Sequence, residues 1–197
     1  DGGHFENLGI YELVRRRCRF IIASDAEQDE KYRFEGLGNA IRKCRTDLGV
    51  EIDIVADRMQ PDPNTGLSGS HCVVGTIRYP ERDSNGMNLM GTLLYIKATM
   101  TGDEPGDVME HKRKDVVFPH TPTADQWFDE SQFESYRRLG VHVTNSVFAS
   151  VAEDVSLVDD REKFFRLISQ KWYPPSRAVQ TKFTEHARAC SELMERL

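Results

Sequence analysis

Apolar positions follow two periods along this chain, and the switches between them mark its elements. In NLGIYELVRRR, Leu8, Tyr11, Leu13 and Val14 recur at mixed helical spacing behind Asn7, a good N-cap. Arginines close the last turn, so a short helix is predicted. The compact apolar run CRFIIASDA reads as a buried strand. Over FEGLGNAIRKCRTDLG, Phe34, Leu37, Ile41, Cys44 and Leu48 recur every three or four residues, giving an amphipathic helix that Gly49 can cap. VEIDIV then alternates as a strand does. This order of helix, strand, helix, strand predicts an α/β sheet with parallel members.

The next stretch, DRMQPDPNTGLSGS, is a loop rich in proline, glycine and asparagine. HCVVGTIRY and GTLLYIKAT read as two strands joined by the polar PERDSNGMNLM, a connection short enough for a hairpin, which makes the sheet mixed. From Asp103 the pattern is mostly helical: Asp129 and Gln132 form a capping box before ESQFESYRRLG, and residues 160–171 form a further helix. Pro174-Pro175 breaks the chain before a last helix, in which Val179, Phe183, Ala187, Cys190, Met194 and Leu197 make one apolar stripe. That stripe predicts a closing helix packed on the domain, with self-association as the competing use. Its opposite face mixes acids and bases, unlike the basic face of a membrane-surface helix.

Composition adds exclusions. The 197 residues allow one sizeable domain. A net charge of -6 argues against general nucleic-acid binding, because little positive charge is available to displace counterions from a phosphate backbone. No apolar run reaches the roughly 20 residues that span a bilayer, and the first residues are not those of a signal peptide. Cys18, Cys44, Cys72 and Cys190 show no Cys-x-x-Cys spacing, which points to a reducing compartment.

Candidate chemistry is sparse in the spacing alone. His4, His71, His111, His120, His142 and His186 form no metal-binding pair along the sequence, so they read as surface or hydrogen-bonded core residues. GLSGS at 66–70 is not a nucleophile elbow: Ser68 is followed by Gly69 and Ser70, and no strand leads into it. Asp25 closes an apolar strand, where open α/β sheets place active-site groups, although acids there more often cap the following turn. The opening Asp1-Gly2-Gly3 puts a carboxylate on a loop of wide backbone freedom just before a helix start.

The whole phrase DGGHFENLGIYELVRRRCRFIIASDA resembles the second catalytic block of the patatin-like phospholipases, and GTIRYP, GTLLYIKA, TGDEP and FPHTPTADQWFDESQFESYRRLG resemble its continuation in bacterial members. The resemblance covers residues 1 to about 148, leaving 149–197 as a helical C-terminal extension. It implies part of a three-layer α/β fold with a mixed sheet. It also implies a serine–aspartate dyad, in which a serine attacks the ester carbonyl, a carboxylate is its base, and a glycine-rich loop supplies oxyanion donors. Asp1 is the base under this reading, Gly2 and Gly3 shape its loop, and Asn7 ends the motif. Gly9 stands where many relatives have proline.

The nucleophile block and oxyanion loop precede Asp-Gly-Gly in that family, so the chain is expected to be the C-terminal part of a larger lipid acyl hydrolase, inactive alone. The expected substrate is a phospholipid or other fatty-acyl ester, met by transient contact with a membrane surface, without metal or organic cofactor. The expected location is cytoplasmic or peripheral at a membrane, with upstream membrane segments left open. Two other uses of the scaffold stand beside this one: a non-catalytic lipid- or protein-binding domain, and a soluble acyltransferase.

Overall fold

The computed structural model describes residues 4–122, 124–149, 151 and 160–173. Asp1, Gly2 and Gly3, and the expected last helix with Phe183, lie outside the described residues.

The first helix, α1, spans Ile10–Arg15 and buries Ile10 and Val14. Its cap differs from expectation. Gly9 is the N-cap, at φ 71, and makes no side-chain cap bond. The carboxylate of Glu6 accepts from the Leu8 and Tyr11 backbone N–H groups at 2.6 and 3.1 Å, so Glu6 does the capping that Asn7 was expected to do. Proline is locked near φ −65° and could not take the conformation of Gly9.

Strand β1 follows at Phe20–Asp25. It is not buried on both sides: Ile21, Ala23 and Asp25 face inward, whereas Ile22 is 47% exposed. Helix α2, Glu35–Leu48, buries Leu37, Ala40 and Cys44 and ends at Gly49, φ 64. The N–H groups of Gly49 and Val50 close back on the carbonyls of Arg45 and Cys44, each at 3.1 Å, as the sequence predicted for a glycine cap. Strand β2 is only Glu51–Asp53, and a 3-10 turn at Asp57–Met59 leads into the loop.

Strands β3, Cys72–Arg82, and β4, Asn88–Lys97, are the expected hairpin. They reach further into the polar connection than their apolar residues indicated. The Asp83 carboxylate holds the turn by accepting from the N–H groups of Asn85 and Met87. Helices α3, Gly106–Lys114, α4, Glu130–Phe148, and α5, Arg161–Trp172, complete the described chain.

The sheet order is β1-β4-β3-β2, with β1 parallel to β4 and the other pairs antiparallel. Alternation along β3 and β4 sorts the core onto two faces. Val73, Ile77, Tyr79, Leu93 and Tyr95 pack with α1 and α2. Cys72, Val74 and Leu94 pack with Val108 of α3, Leu139, Val143 and Val147 of α4, and Phe165 and Ile168 of α5. The result is a mixed sheet between two helical layers, an α/β architecture. Each fully buried aliphatic or aromatic side chain here is worth about 1.5–3 kcal/mol. Among the described residues, no helix is long and apolar enough to cross a membrane.

Candidate functional site

Strands β1 and β4 run in the same direction and end side by side, with Asp25 paired in register with Lys97. In an open α/β sheet this carboxyl edge is where ligands settle. A basin of about 510 Å³ opens there, lined among others by Asn7, Asp25, Glu27, Asp29 and Phe34.

Its floor is a buried polar knot. Asp25 and Lys97 are 3% and 1% exposed. Lys97 Nζ donates to Asp25 Oδ2 at 2.8 Å and lies 3.7 Å from Asp29 Oδ2. The Tyr95 hydroxyl donates to the same Asp25 oxygen, and the Glu27 backbone N–H donates to Oδ1 at 2.7 Å. Burial and the Asp25 charge both push the Tyr95 phenol upward, so it stays protonated and acts as a donor. Three donors hold the Asp25 carboxylate, two on Oδ2 and one on Oδ1. It caps its turn and anchors the segment leading to α2.

Asp29 continues the anchoring. Its carboxylate accepts from the N–H groups of Arg33 and Phe34 at 2.7 and 2.9 Å, directly before α2. On the rim, the Asn7 side chain donates to Glu27 Oε1 at 2.7 Å. Asn7 therefore ties the loop after Asp1-Gly2-Gly3 to the basin, which is its observed role in place of helix capping. No serine, threonine or cysteine lines this basin among the described residues. Among the described residues, the site holds the segment leading to α2 in place and presents no hydroxyl or thiol nucleophile.

The serines of the proline-rich loop are spent on backbone. Ser68 Oγ donates to the Met59 carbonyl at 2.7 Å and Ser70 Oγ to the Cys72 carbonyl at 2.5 Å, both buried. This agrees with reading the segment as a loop and not a nucleophile elbow. His120 is buried behind the knot, its ring edge-on to Tyr32 at 4.8 Å. Neither ring nitrogen has a hydrogen bond of normal geometry. Burial and the nearby Lys97 charge hold its pKa down to about 4, although the Glu27 carbonyl pulls slightly the other way.

His71 and His142, 71 positions apart in sequence, stand ring to ring at 5.3 Å. Spacing analysis could not pair them, because strand and helix packing brings them together. Lys97 and Tyr95 also went unremarked in the sequence. A lysine inside the apolar run LLYIKAT was the available signal, since a buried lysine requires a partner. Asp1, the expected base, lies outside the described residues. Comparison with known protein families, with curated proteins and with solved structures returns no match.

Proposed function

We propose that this chain is the base-carrying, C-terminal portion of a patatin-like lipid acyl hydrolase. A serine from sequence preceding Asp1 attacks the ester carbonyl of a phospholipid or related fatty-acyl ester. Asp1 takes the serine proton and a glycine-rich loop holds the developing oxyanion; the ester C–O bond then breaks, the alcohol (the lysolipid) leaves with that proton, and the acyl group stays on the serine. Water, losing a proton to Asp1, attacks the acyl-serine, and the proton returns to the serine as the fatty acid is released.

The observation that carries this reading is the phrase Asp1-Gly2-Gly3, then Asn7, then a short helix and a strand ending in Asp25. Two features support it. Asn7, six positions after Asp1, is held by Glu27 at the rim of a basin on the carboxyl edge of the sheet. Trp127 and Phe133, on either side of the α4 N-cap, are 90% and 62% exposed, apolar surface of the kind that meets lipid.

Fluorophosphonate labelling tests the proposal. The complete gene product should be labelled at one serine upstream of Asp1, and the present chain should not be labelled. Saturable labelling of the present chain at a single serine would contradict the division of the dyad. An unlabelled, well-folded complete product would favour a binding module on the same scaffold.

A further inference from the structure

At the same edge of the sheet, on a different set of residues, side chains converge from three elements. His71 directly precedes β3, Thr99 to Glu104 follow β4, and His142 sits on α4. One nitrogen or oxygen from each of His71, Asp103, Glu104 and His142 lies within 4.8 Å of all the others.

The hydrogen bonds fix what these groups present. Thr99 Oγ1 donates to the Ser70 carbonyl at 3.1 Å, so towards His71 Nδ1, at 2.8 Å, it can only accept. His71 therefore carries its proton on Nδ1 and turns a bare lone pair on Nε2 towards the cluster. There the Thr101 hydroxyl, with one proton, faces three acceptors: His71 Nε2 at 3.0 Å, Asp103 Oδ1 at 2.5 Å and Glu104 Oε1 at 3.2 Å. His142 Nε2 is buried without a hydrogen bond, 3.3 Å from Asp103 Oδ1. The cluster has more lone pairs than protons.

We propose that His71, His142 and Asp103, with Glu104 as the fourth donor, bind one divalent cation of the zinc class. Two imidazoles and carboxylates are a donor set that suits zinc over calcium or magnesium. Ligand atoms on a tetrahedral zinc lie about 3.3–3.6 Å apart, so the set closes by about 1 Å at its widest. The Asp103 side chain, 71% exposed, has the freedom to supply that movement. Thr99 plays the orienting part commonly taken by a carbonyl or carboxylate behind a zinc-bound histidine. Glu104 is already fixed by the backbone N–H groups of Thr101 and Gly102, at 2.5 and 2.8 Å. The ion would pin α4 and the segment after β4 to the start of β3. None of its ligands lines the Asp25 basin, and the site does not depend on the hydrolase reading.

The test is metal binding by the untagged chain after chelator treatment. Zinc is titrated against a chromophoric competitor, and cobalt(II) is used for its visible absorption. The expected result is one saturable site per chain, a cobalt spectrum of tetrahedral nitrogen–oxygen coordination, and a melting temperature that rises with zinc. Asp103→Asn and His142→Gln should each weaken zinc binding by at least about tenfold to a hundredfold. Asp103 is exposed, so its variant keeps the fold and decides the matter if His142→Gln does not. Absence of one-to-one binding, or unchanged affinity in Asp103→Asn, would overturn the assignment.

Discussion

Lys97→Met removes the ammonium from the polar knot and leaves Asp25 buried beside Asp29 with only Tyr95 and the Glu27 N–H as donors. At the 2.8 Å separation of Lys97 and Asp25, the Coulomb attraction is about 6 kcal/mol at an effective dielectric of about 20. Desolvating two side chains that are 1% and 2% exposed costs several kcal/mol per ion, so the intact pair contributes little net stability. Breaking it is another matter: stranding one buried charge costs about 3–5 kcal/mol. Lys97→Met should fall at the upper end, because two carboxylates lose their cation. Asp25→Asn should fall at the lower end, because Lys97 keeps Asp29 at 3.7 Å. The double variant should fall short of the sum by about 2–3 kcal/mol. Urea unfolding followed by circular dichroism, with unchanged m-values, measures all three. Additivity within about 0.5 kcal/mol, or a neutral Lys97→Met, would refute the reasoning.

Further consequences can be measured on the same protein. His120 has a folded pKa of about 4 against an ordinary 6.5, so the unfolded chain binds its proton first. The stability from neutral His120 is thus complete above pH 6.5 and lost as pH falls through 4, roughly 3 kcal/mol in all. His120→Phe keeps the ring contact and should flatten that acid limb in urea midpoints; an equally steep limb would exclude His120 as its source. Asp129→Ala deletes the cap that accepts from the Gln132 N–H at 2.7 Å and should cost about 1 kcal/mol. Gly75→Ala would place a methyl 2.7 Å from Ile54 Cβ and 2.8 Å from the Asp53 carbonyl, and should cost about 1–3 kcal/mol by urea unfolding. Trp127→Ala should reduce sedimentation with phospholipid vesicles without altering the melting temperature; unchanged vesicle binding would remove Trp127 from the lipid contact.

Local patterns carried most of the fold. The stripe from Leu37 to Leu48 and the alternation in the hairpin each reflect one element meeting one layer, and both are visible within a short window. Capping was less legible. Asn7 and Glu6 are both able caps, and the choice depends on Glu27 drawing the Asn7 amide away. At α4 the capping box formed only by half: Asp129 caps, but the Gln132 amide donates to Asp125 instead of folding back. The polar knot and the histidine cluster were out of reach for a different reason. Asp25 meets Lys97 across 72 positions and His71 meets His142 across 71, and only the sheet order and the seat of α4 decide those meetings.

The hydrolase account rests on Asp1, and one substitution examines it most directly. In the complete gene product, Asp1→Asn preserves the shape of the side chain and removes the base. Fatty-acid release from phospholipid vesicles is measured alongside the melting temperature. The account predicts a loss in turnover of about a hundredfold or more with the fold intact. Near-normal release by a well-folded Asp1→Asn protein would contradict it.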